Sequence, residues 1–471
     1  MRSTRARQLE MAQDGVVEAL KVERPMTVQI VRTKAETALI QAYDAVEREL
    51  PGGAWLKARR SAAIGSFAAQ GLPNRRVEEW KYTDLRAGLK EMYPLATGKV
   101  GGAGHSAEAI IARILPGVEA SGFVHLEDGR GAGFAGIFSS KDDTSPYLAD
   151  LLGSPPAWLR AELERGMATG GTDGIGSLNA AFFANGVVLD IPSRLEIDQP
   201  LVMLFTDGGE GRGSVFSRSV IRVGDGAKVT LVEVHCGNFA AARQVSAATQ
   251  LMVGRGAMVT HIKFVETEAD DVHTGKWDVR LGSEATYRPF QMTLGSGLVR
   301  NELALSFDGQ HSTLDFGAAF LAGDRGHIDT TLLIDHKVGH CTSRELVKGV
   351  LDNAARGIFQ GKVIVQPNAQ KTDGKQMAQA LMLSADAEFD SKPELEIYAD
   401  DVVCGHGSTS AELDDDLLFY LRARGIPLAE AKSLLVESFI GEAIDKVEHD
   451  GLREAMMGHA RRWLAAGHVG A

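Results

Sequence analysis

Apolar residues near the start of the chain recur at helical spacing. Between residues 33 and 50 they fall three and four positions apart, as one face of a helix requires. The residues that form this stripe are Ala38, Leu39, Ala42, Val46 and Leu50. A second helical pattern covers residues 55–70 and is closed by Gly71. The chain is therefore predicted to begin its folded part with a pair of helices.

The helical character continues with interruptions as far as residue 176. Residues 96–125 are rich in Gly and Ala and predict loop and weak helix, whereas residues 145–166 again predict helix, broken by two prolines. We therefore predict an N-terminal helical domain over residues 26–176. Residues 1–25 are predicted to be a loose arm, and Met26 is the alternative start of the protein.

The pattern changes near Ser177 to short β-branched segments, each closed by Gly, Asp or Asn. The segments VGDGAKVTLVEV, VGRGAMVTHIKF and LGSEATYRPFQM align on Ala227, Ala257 and Ala285, which are 30 and then 28 residues apart. A β-rich unit repeated at this spacing indicates coils that bury their apolar faces on one another. A propeller or a sandwich also consists of short strands, but blade signatures are missing and the region is long for one sandwich. We therefore predict a mainly β protein with a parallel β-helix over residues 177–410.

Helical spacing returns at the end of the chain, and we predict a C-terminal helical domain over residues 411–471. Its longest helix begins at Leu428 and carries a broad apolar stripe. The stripe consists of Ala431, Leu434, Leu435, Phe439, Ile440, Ala443, Ile444 and Val447. Because this helix lies outside the repeats, we expect it to cap the end of the stack or to bind a partner.

The composition indicates the cellular compartment of the protein and excludes some classes of partner. The formal net charge of the 471 residues is −12, so no basic field is available for nucleic acid or an anionic membrane. Cys236, Cys341 and Cys404 are far apart and form no CxxC pair, which argues against a disulfide framework and indicates a reducing compartment. The N-terminus lacks the apolar segment of a signal peptide, and no run of about 18 apolar residues is present. We expect a cytoplasmic protein.

Signatures of common catalytic sites are missing from the sequence. Gly357 and Gly361 are too close together for a phosphate-binding loop, and Val363 stands where that loop has Ser or Thr. The GxSxG and HExxH motifs are also missing. β-Helices also occur as polysaccharide lyases and hydrolases, for which Asp400 and Asp401 are the candidate carboxylate pair. Those enzymes are mostly secreted, so we expect a non-enzymatic protein with no catalytic residues.

The segment DDVVCGHG, residues 400–407, carries the best candidate ligands. On a β-strand Cys404 and His406 share a face with Val402, while the glycines face the other way. A thiol and an imidazole two residues apart can bind the same metal ion. The alternative is a cysteine that packs as a small hydrophobe and a histidine that is hydrogen-bonded at the strand end. The spacing leaves both interpretations open.

A second segment, residues 335–343, is dense in side chains that can bind metals. It contains Asp335, His336, His340 and Cys341. A Val-Gly pair interrupts it, and acidic and histidine residues at β-helix corners commonly satisfy backbone groups of the turn. We therefore favour a structural role for this segment.

Four segments taken together resemble the SufB/SufD family of iron–sulfur cluster assembly scaffold proteins. They cover residues 335–351, 361–384, 393–409 and 417–445. The resemblance extends from Ser177 to the end, and the segment NRRVEEWKYTDL near the start is also typical of the family. The chain is similar to the SufD branch rather than to SufB. The first cysteine is as late as Cys236, and Gly407 follows His406, where SufB chains have a glutamate soon after this histidine. A chain with the role of SufB is the alternative.

The resemblance implies a fold, partners and a site. The fold would be a right-handed parallel β-helix between the two helical domains. SufB would pair with the β-helix, the SufC ATPase would dock on the C-terminal helices, and ATP-driven SufC dimerisation would loosen the interface. His406, and after it Cys404, would be the metal ligands of a transient iron–sulfur cluster shared with SufB, with no cofactor held tightly by this chain alone. Since β-helix edges pair readily, a homodimer of the isolated chain is also expected.

Overall fold

The computed structural model of the chain describes residues 31–96, 106–137, 145–168, 173–208, 211–237 and 241–468. The arm predicted at 1–25 and the alternative start at Met26 lie outside these residues. Among the residues described, no helix is both long and apolar enough to cross a membrane.

Eighteen strands in the described part of the chain wind into a β-solenoid with two sheets. Their bounds are β1 Gly122–Glu127, β2 Arg130–Gly136, β3 Val188–Ile191, β4 Leu201–Thr206, β5 Gly213–Val223, β6 Lys228–Cys236, β7 Arg243–Val253, β8 Met258–Thr267, β9 Val272–Leu281, β10 Thr286–Gly295, β11 Leu298–Phe307, β12 Thr313–Ala322, β13 His327–His336, β14 Thr342–Leu351, β15 Arg356–Val365, β16 Asp373–Met382, β17 Glu388–Ile397 and β18 Val403–Ala411. One sheet has the order β18-β16-β14-β12-β10-β8-β6-β4-β1-β2 and the other the order β17-β15-β13-β11-β9-β7-β5-β3. From β3 onward, successive strands alternate between the sheets and pair in parallel, so each coil contributes one strand to each sheet. The predicted mainly β fold with a parallel β-helix between helical regions is confirmed.

The repeat seen in the sequence marks one corner of this solenoid. Ala227, Ala257 and Ala285 are all fully buried just before β6, β8 and β10. The residue ahead of the first two alanines is a glycine with positive φ, 65° at Gly226 and 64° at Gly256. The corner therefore needs a left-handed residue followed by a small one, which explains why glycine and alanine recur there.

Inward side chains of both sheets stack into one continuous apolar core. Phe307, Phe316, Phe320 and Phe359 are at most 1% exposed and occupy the C-terminal half of this core. Burying a side chain of this size contributes roughly 1.5–3 kcal/mol. The stacked phenylalanines therefore hold neighbouring coils in register.

The N-terminal region is mostly helical. Its α-helices are α1 Lys34–Val46, α2 Ala54–Gln70, α3 Leu85–Gly88, α4 Ala107–Ile114, α5 Leu148–Leu151, α6 Ala157–Gly166 and α7 Gly174–Phe182. Helix α1 begins with a capping box in which Thr33 and Glu36 bond each other's backbone N–H groups. Helix α7 packs on β5 and β7, where the Asn179 amide donates to the carbonyl oxygens of Ser217 and Ser246, both at 2.9 Å. The N-terminal helices other than α4 therefore share a core with outward residues of β3, β5 and β7 in the eight-stranded sheet, whereas α4 packs with outward residues of β4 and β6 in the ten-stranded sheet.

One part of the N-terminal region is a hairpin of two strands, β1 and β2. The sequence had predicted loop and weak helix over residues 96–125, where β1 begins. Strand β1 pairs in parallel with β4 and antiparallel with β2. Strand β2 reads RGAGFAG, a composition with low β-propensity, and its extended form depends on the strand beside it. This hairpin covers the N-terminal edge of the ten-stranded sheet.

The C-terminal helices are α8 Asp415–Ala423, α9 Leu428–Ile444 and α10 Asp450–Trp463. Helix α9 packs along the outer face of β12 and β14 through buried residues that include Val436, Ile440 and Ile444. Of the two roles expected for this helix, capping the end of the stack is wrong, and binding a partner stays a prediction. The apolar stripe is used on the side of the solenoid, where the outward apolar residues of the even-numbered strands need cover.

Candidate functional site

Strand β18, which carries Cys404 and His406, is the terminal strand of the ten-stranded sheet. It pairs in parallel with β16 along one side only. The last strand of the other sheet is β17, and every residue of both strands is at least partly exposed. The C-terminal end of the solenoid is therefore open in the described part of the chain.

The register places the two candidate ligands on the inner face of this last coil. Cys404 pairs with Gly374 and His406 pairs with Gln376, both of which are buried inward positions of β16. The Cys404 Sγ lies 3.6 Å from the point where a Cβ on Gly374 would be, so the thiol packs over that glycine. The arrangement matches the sequence expectation that Cys404 and His406 share one face.

The chemical state of these ligands follows from their surroundings. Burial, with smaller effects from the charges of Asp373 and Glu345, raises the pKa of the Cys404 thiol, so this thiol is protonated near neutral pH. The His406 side chain is exposed. Within the described ranges no three His, Cys, Asp or Glu side chains are close enough to hold a metal ion together. Cys404 and His406 could therefore bind a metal ion only with ligands added from elsewhere.

A cavity of about 560 Å³ lies beside this strand. Its lining includes both ligands, Gln376 and a residue that the sequence reasoning missed, Glu345 on β14. Burial raises the pKa of Glu345 to about 8. The sequence carried a signal for the burial of Glu345. Ser343, Glu345 and Val347 occupy alternate positions of β14, so all three share its inner face.

The second sequence cluster is not brought together. His336 is buried and stacks on Phe307 with a centroid distance of 4.2 Å, whereas His340 lies on an exposed corner with φ of 60° and stacks on His311. The Cys341 thiol is buried and lies 3.5 Å from the carbonyl oxygen of Gly309. These side chains have separate structural contacts, as the favoured interpretation of this segment expected.

A buried polar cluster in the centre of the solenoid was also missed. The Glu233 carboxylate accepts hydrogen bonds from Trp277 Nε1 at 2.9 Å and Thr249 Oγ1 at 3.1 Å, and lies 2.7 Å from His235 Nε2. Although burial alone raises the pKa of Glu233, the bonds from the histidines and the charge of Lys263 hold that pKa well below its usual range. The cluster is therefore a buried charge balanced by its own neighbours.

Helix α8 presents a group of exposed apolar side chains, which we call the α8 patch. It consists of Leu417, Phe419 and Tyr420, with exposed fractions of 52%, 75% and 53%. None of the residues of α8 is buried, and the helix contacts α9. Exposed apolar residues grouped on one short helix are typical of a protein interface.

Comparison with known proteins agrees with this architecture. Residues 205–439 match the family described as SUF system FeS cluster assembly, SufBD core domain. Residues 33–110 match the family described as SufBD protein N-terminal region. The two matches cover α1 to α3 and the start of α4, the solenoid from the end of β4 to β18, α8 and part of α9.

Individual relatives lead to the same family. The chain is 28% identical to the iron–sulfur cluster assembly protein SufD of Escherichia coli over 405 residues, which is 84% of this chain and 90% of that protein. It is 29% identical to an iron–sulfur cluster assembly SufBD family protein of Synechocystis over 402 residues, 83% of this chain and 87% of the relative. A SufBD family protein of Mycobacterium leprae is 30% identical over 294 residues, 61% of this chain and 74% of the relative. The chain therefore belongs to the SufBD family of iron–sulfur cluster assembly proteins and is a homologue of SufD.

Proposed function

We propose that this chain is a non-catalytic scaffold subunit of a cytoplasmic SufBCD complex, in which it occupies the place of SufD. The observation that carries the proposal is the open C-terminal end of the solenoid, where Cys404 and His406 lie on the inner face of β18, an edge strand that pairs with β16 on one side and with no other described strand. A site with two ligands at an open edge is suited to assembling a cluster together with a second protein.

The free edge supports pairing with SufB. The N–H of Val403 bonds the carbonyl oxygen of Thr372 on β16. Because backbone groups alternate in direction along a strand, those of Cys404, His406 and Ser408 point to the free side of β18. A SufB strand would satisfy these groups and would bring its own ligands next to Cys404 and His406. The same edge would account for a homodimer of the isolated chain.

The C-terminal helices support docking of the SufC ATPase. The α8 patch is apolar and exposed, and the adjoining helix α9 is fastened to the solenoid by two ion pairs. Lys348 on β14 bonds Glu442, and Asp315 on β12 bonds Lys446 just beyond α9. A movement of SufC driven by ATP would therefore be passed through α9 to the strands that precede the site.

Co-expression of the full chain with SufB and SufC, followed by purification and mass determination, tests the proposal. We expect one copy of this chain with one SufB and two SufC. Ser408→Pro removes an N–H group on the free side of β18, so SufB should be lost, whereas the control Ser408→Ala keeps that group and should bind normally. Normal SufB binding by Ser408→Pro would show that the edge is not the interface.

A second pair of variants tests the α8 patch. Phe419→Ser should release SufC and leave SufB bound, because it removes the most exposed side chain of the patch. Leu333→Ser is the matched control, since Leu333 is also exposed, at 38%, but lies on the eight-stranded sheet. Equal SufC recovery with both variants would refute docking at the patch.

A further inference from the structure

A cavity of about 300 Å³, which we call the α6–α7 cavity, lies between these two helices and the outer face of the eight-stranded sheet. Its floor includes one row of the register, in which Arg218 of β5 pairs with Ala248 of β7, and Ala248 pairs with Lys276 of β9. Because neighbouring strands are about 4.8 Å apart, the backbones of the two cationic residues are roughly 10 Å apart. The methyl group of Ala248 leaves space between their side chains. The row therefore places an open space between two positive charges.

Arg218 is almost completely buried, and its bonds fix its position without balancing its charge. The side chain is 3% exposed. Its Nε donates to Asn179 Oδ1, and its Nη1 donates to the Gly166 carbonyl oxygen and to Gln250 Oε1, each at 3.1 Å. All three partners are neutral, and Nη2 has no hydrogen-bond partner among the residues that the structure describes. A buried cation held only by neutral groups is costly, so an anion beside it would be favoured.

The carboxylates that line the α6–α7 cavity are already bonded to other cations. Asp278 accepts a hydrogen bond from Arg165 at 2.8 Å. Asp173 and Glu302 lie 3.0 and 2.8 Å from the Nζ of Lys276. None of the three forms a direct ion pair with the arginine of β5 in the described part of the chain. That guanidinium therefore lacks a counter-ion of its own.

The charge of Arg218 persists under ordinary conditions. Burial lowers the pKa of its guanidinium to about 10, although the charges of Asp278 and Asp173 act in the opposite direction. The group is therefore protonated near neutral pH. The need for a counter-ion holds over the whole range in which the protein would work.

We propose that the α6–α7 cavity binds a small oxyanion, whose phosphate or carboxylate group lies between Arg218 and Lys276 and accepts a hydrogen bond from Arg218 Nη2. Arginine suits such groups because its guanidinium is planar and permanently charged. A volume of about 300 Å³ is at the lower end of the range for small-molecule sites. The neutral partners of Arg218 hold the guanidinium in place beforehand, which reduces the entropy lost on binding. The inference is independent of SufB and SufC.

The test is a calorimetric titration of the full chain with inorganic phosphate and, separately, with malonate, at constant ionic strength set with chloride. We expect saturable binding of at least one probe, and the probe that binds identifies the group that the cavity takes. Ala248→Leu fills the space between the two cations and leaves the bonds of Arg218 in place, so affinity should fall about ten-fold or more. The matched control is Ala304→Leu, which adds the same side chain to the outer face of β11 outside the cavity lining. It should bind as wild type does.

Arg218→Gln is the second variant, because it removes the charge from the cavity. Its affinity should also fall about ten-fold or more. The probe should raise the melting temperature of wild type and of Ala304→Leu but not that of Arg218→Gln. If Arg218→Gln does not fold, the comparison of Ala248→Leu with Ala304→Leu decides the question alone.

Two results would overturn the inference. The first is a wild-type chain that binds neither phosphate nor malonate in a saturable way. The second is binding that Ala248→Leu leaves unchanged, because the anion would then be held somewhere else on the protein. Binding that a folded Arg218→Gln retains at full affinity would likewise refute the role of Arg218.

Discussion

The pH dependence of stability offers a sharp check on the environment of Glu345, independent of any metal. Burial raises the pKa of this carboxyl from its usual 4.5 to about 8. Between these two values the folded state binds a proton that the unfolded state does not. The free energy of unfolding therefore contains a contribution that is fully present below pH 4.5 and is lost as pH rises through 8. Glu345→Gln removes the titration and keeps the shape of the side chain.

The size of the effect follows from the shift. Each pH unit inside the window changes the free energy of unfolding by about 1.4 kcal/mol, so between pH 5 and pH 8 the variant should gain about 3–4 kcal/mol relative to wild type. Urea titrations followed by tryptophan fluorescence at several pH values measure this difference, and the other titrating groups cancel in the comparison. A flat difference for Glu345→Gln would mean that the carboxyl is solvated or paired, and the reasoning would fail.

Three further predictions concern the solenoid and its helices. Trp277→Phe removes a hydrogen-bond donor from the buried Glu233 carboxylate, so urea titrations should show a loss of about 1–3 kcal/mol. Gly349→Ala would place a Cβ 2.1 Å from Phe320 Cζ and should cost about 1–3 kcal/mol through overpacking, whereas Gly405→Ala, with open space around its Cβ, should melt as wild type. Lys348→Ala removes the bond to Glu442 and the cation–π contact with Phe439, so amide hydrogen exchange should quicken in α9 while β12 and β14 keep their protection.

The features that could be predicted from sequence are those that repeat or follow strand alternation. Ala227, Ala257 and Ala285 predicted the stacked coils because each corner imposes the same steric demand. Cys404 and His406 could be placed on one face because alternation along a strand is fixed by its geometry. Neither result required knowledge of what lies on the next coil.

The features that could not be predicted depend on contacts between distant coils. Glu233 and Glu345 look like surface carboxylates in the sequence, since charged residues are rarely buried without partners. Their burial follows from the closure of the solenoid, which turns their strand faces inward. The β1–β2 hairpin escaped detection because its glycine-rich second strand is extended only through pairing. The direction in which α9 packs was likewise set by the apolar outer face of β12 and β14 and not by its own stripe.

The two ends of the solenoid have unequal capacities for growth. The hairpin of β1 and β2 reverses strand direction at the N-terminal end of the ten-stranded sheet, so a further parallel coil cannot be added in register there. At the C-terminal end, by contrast, the terminal strands β17 and β18 keep the parallel direction of the strands before them. Within the described residues the ten-stranded sheet therefore has one extendable edge, and a first contact there would use it up. If solenoids pair through this edge, we expect that sheet to extend across two solenoids and no further, so assembly through it gives pairs and not filaments.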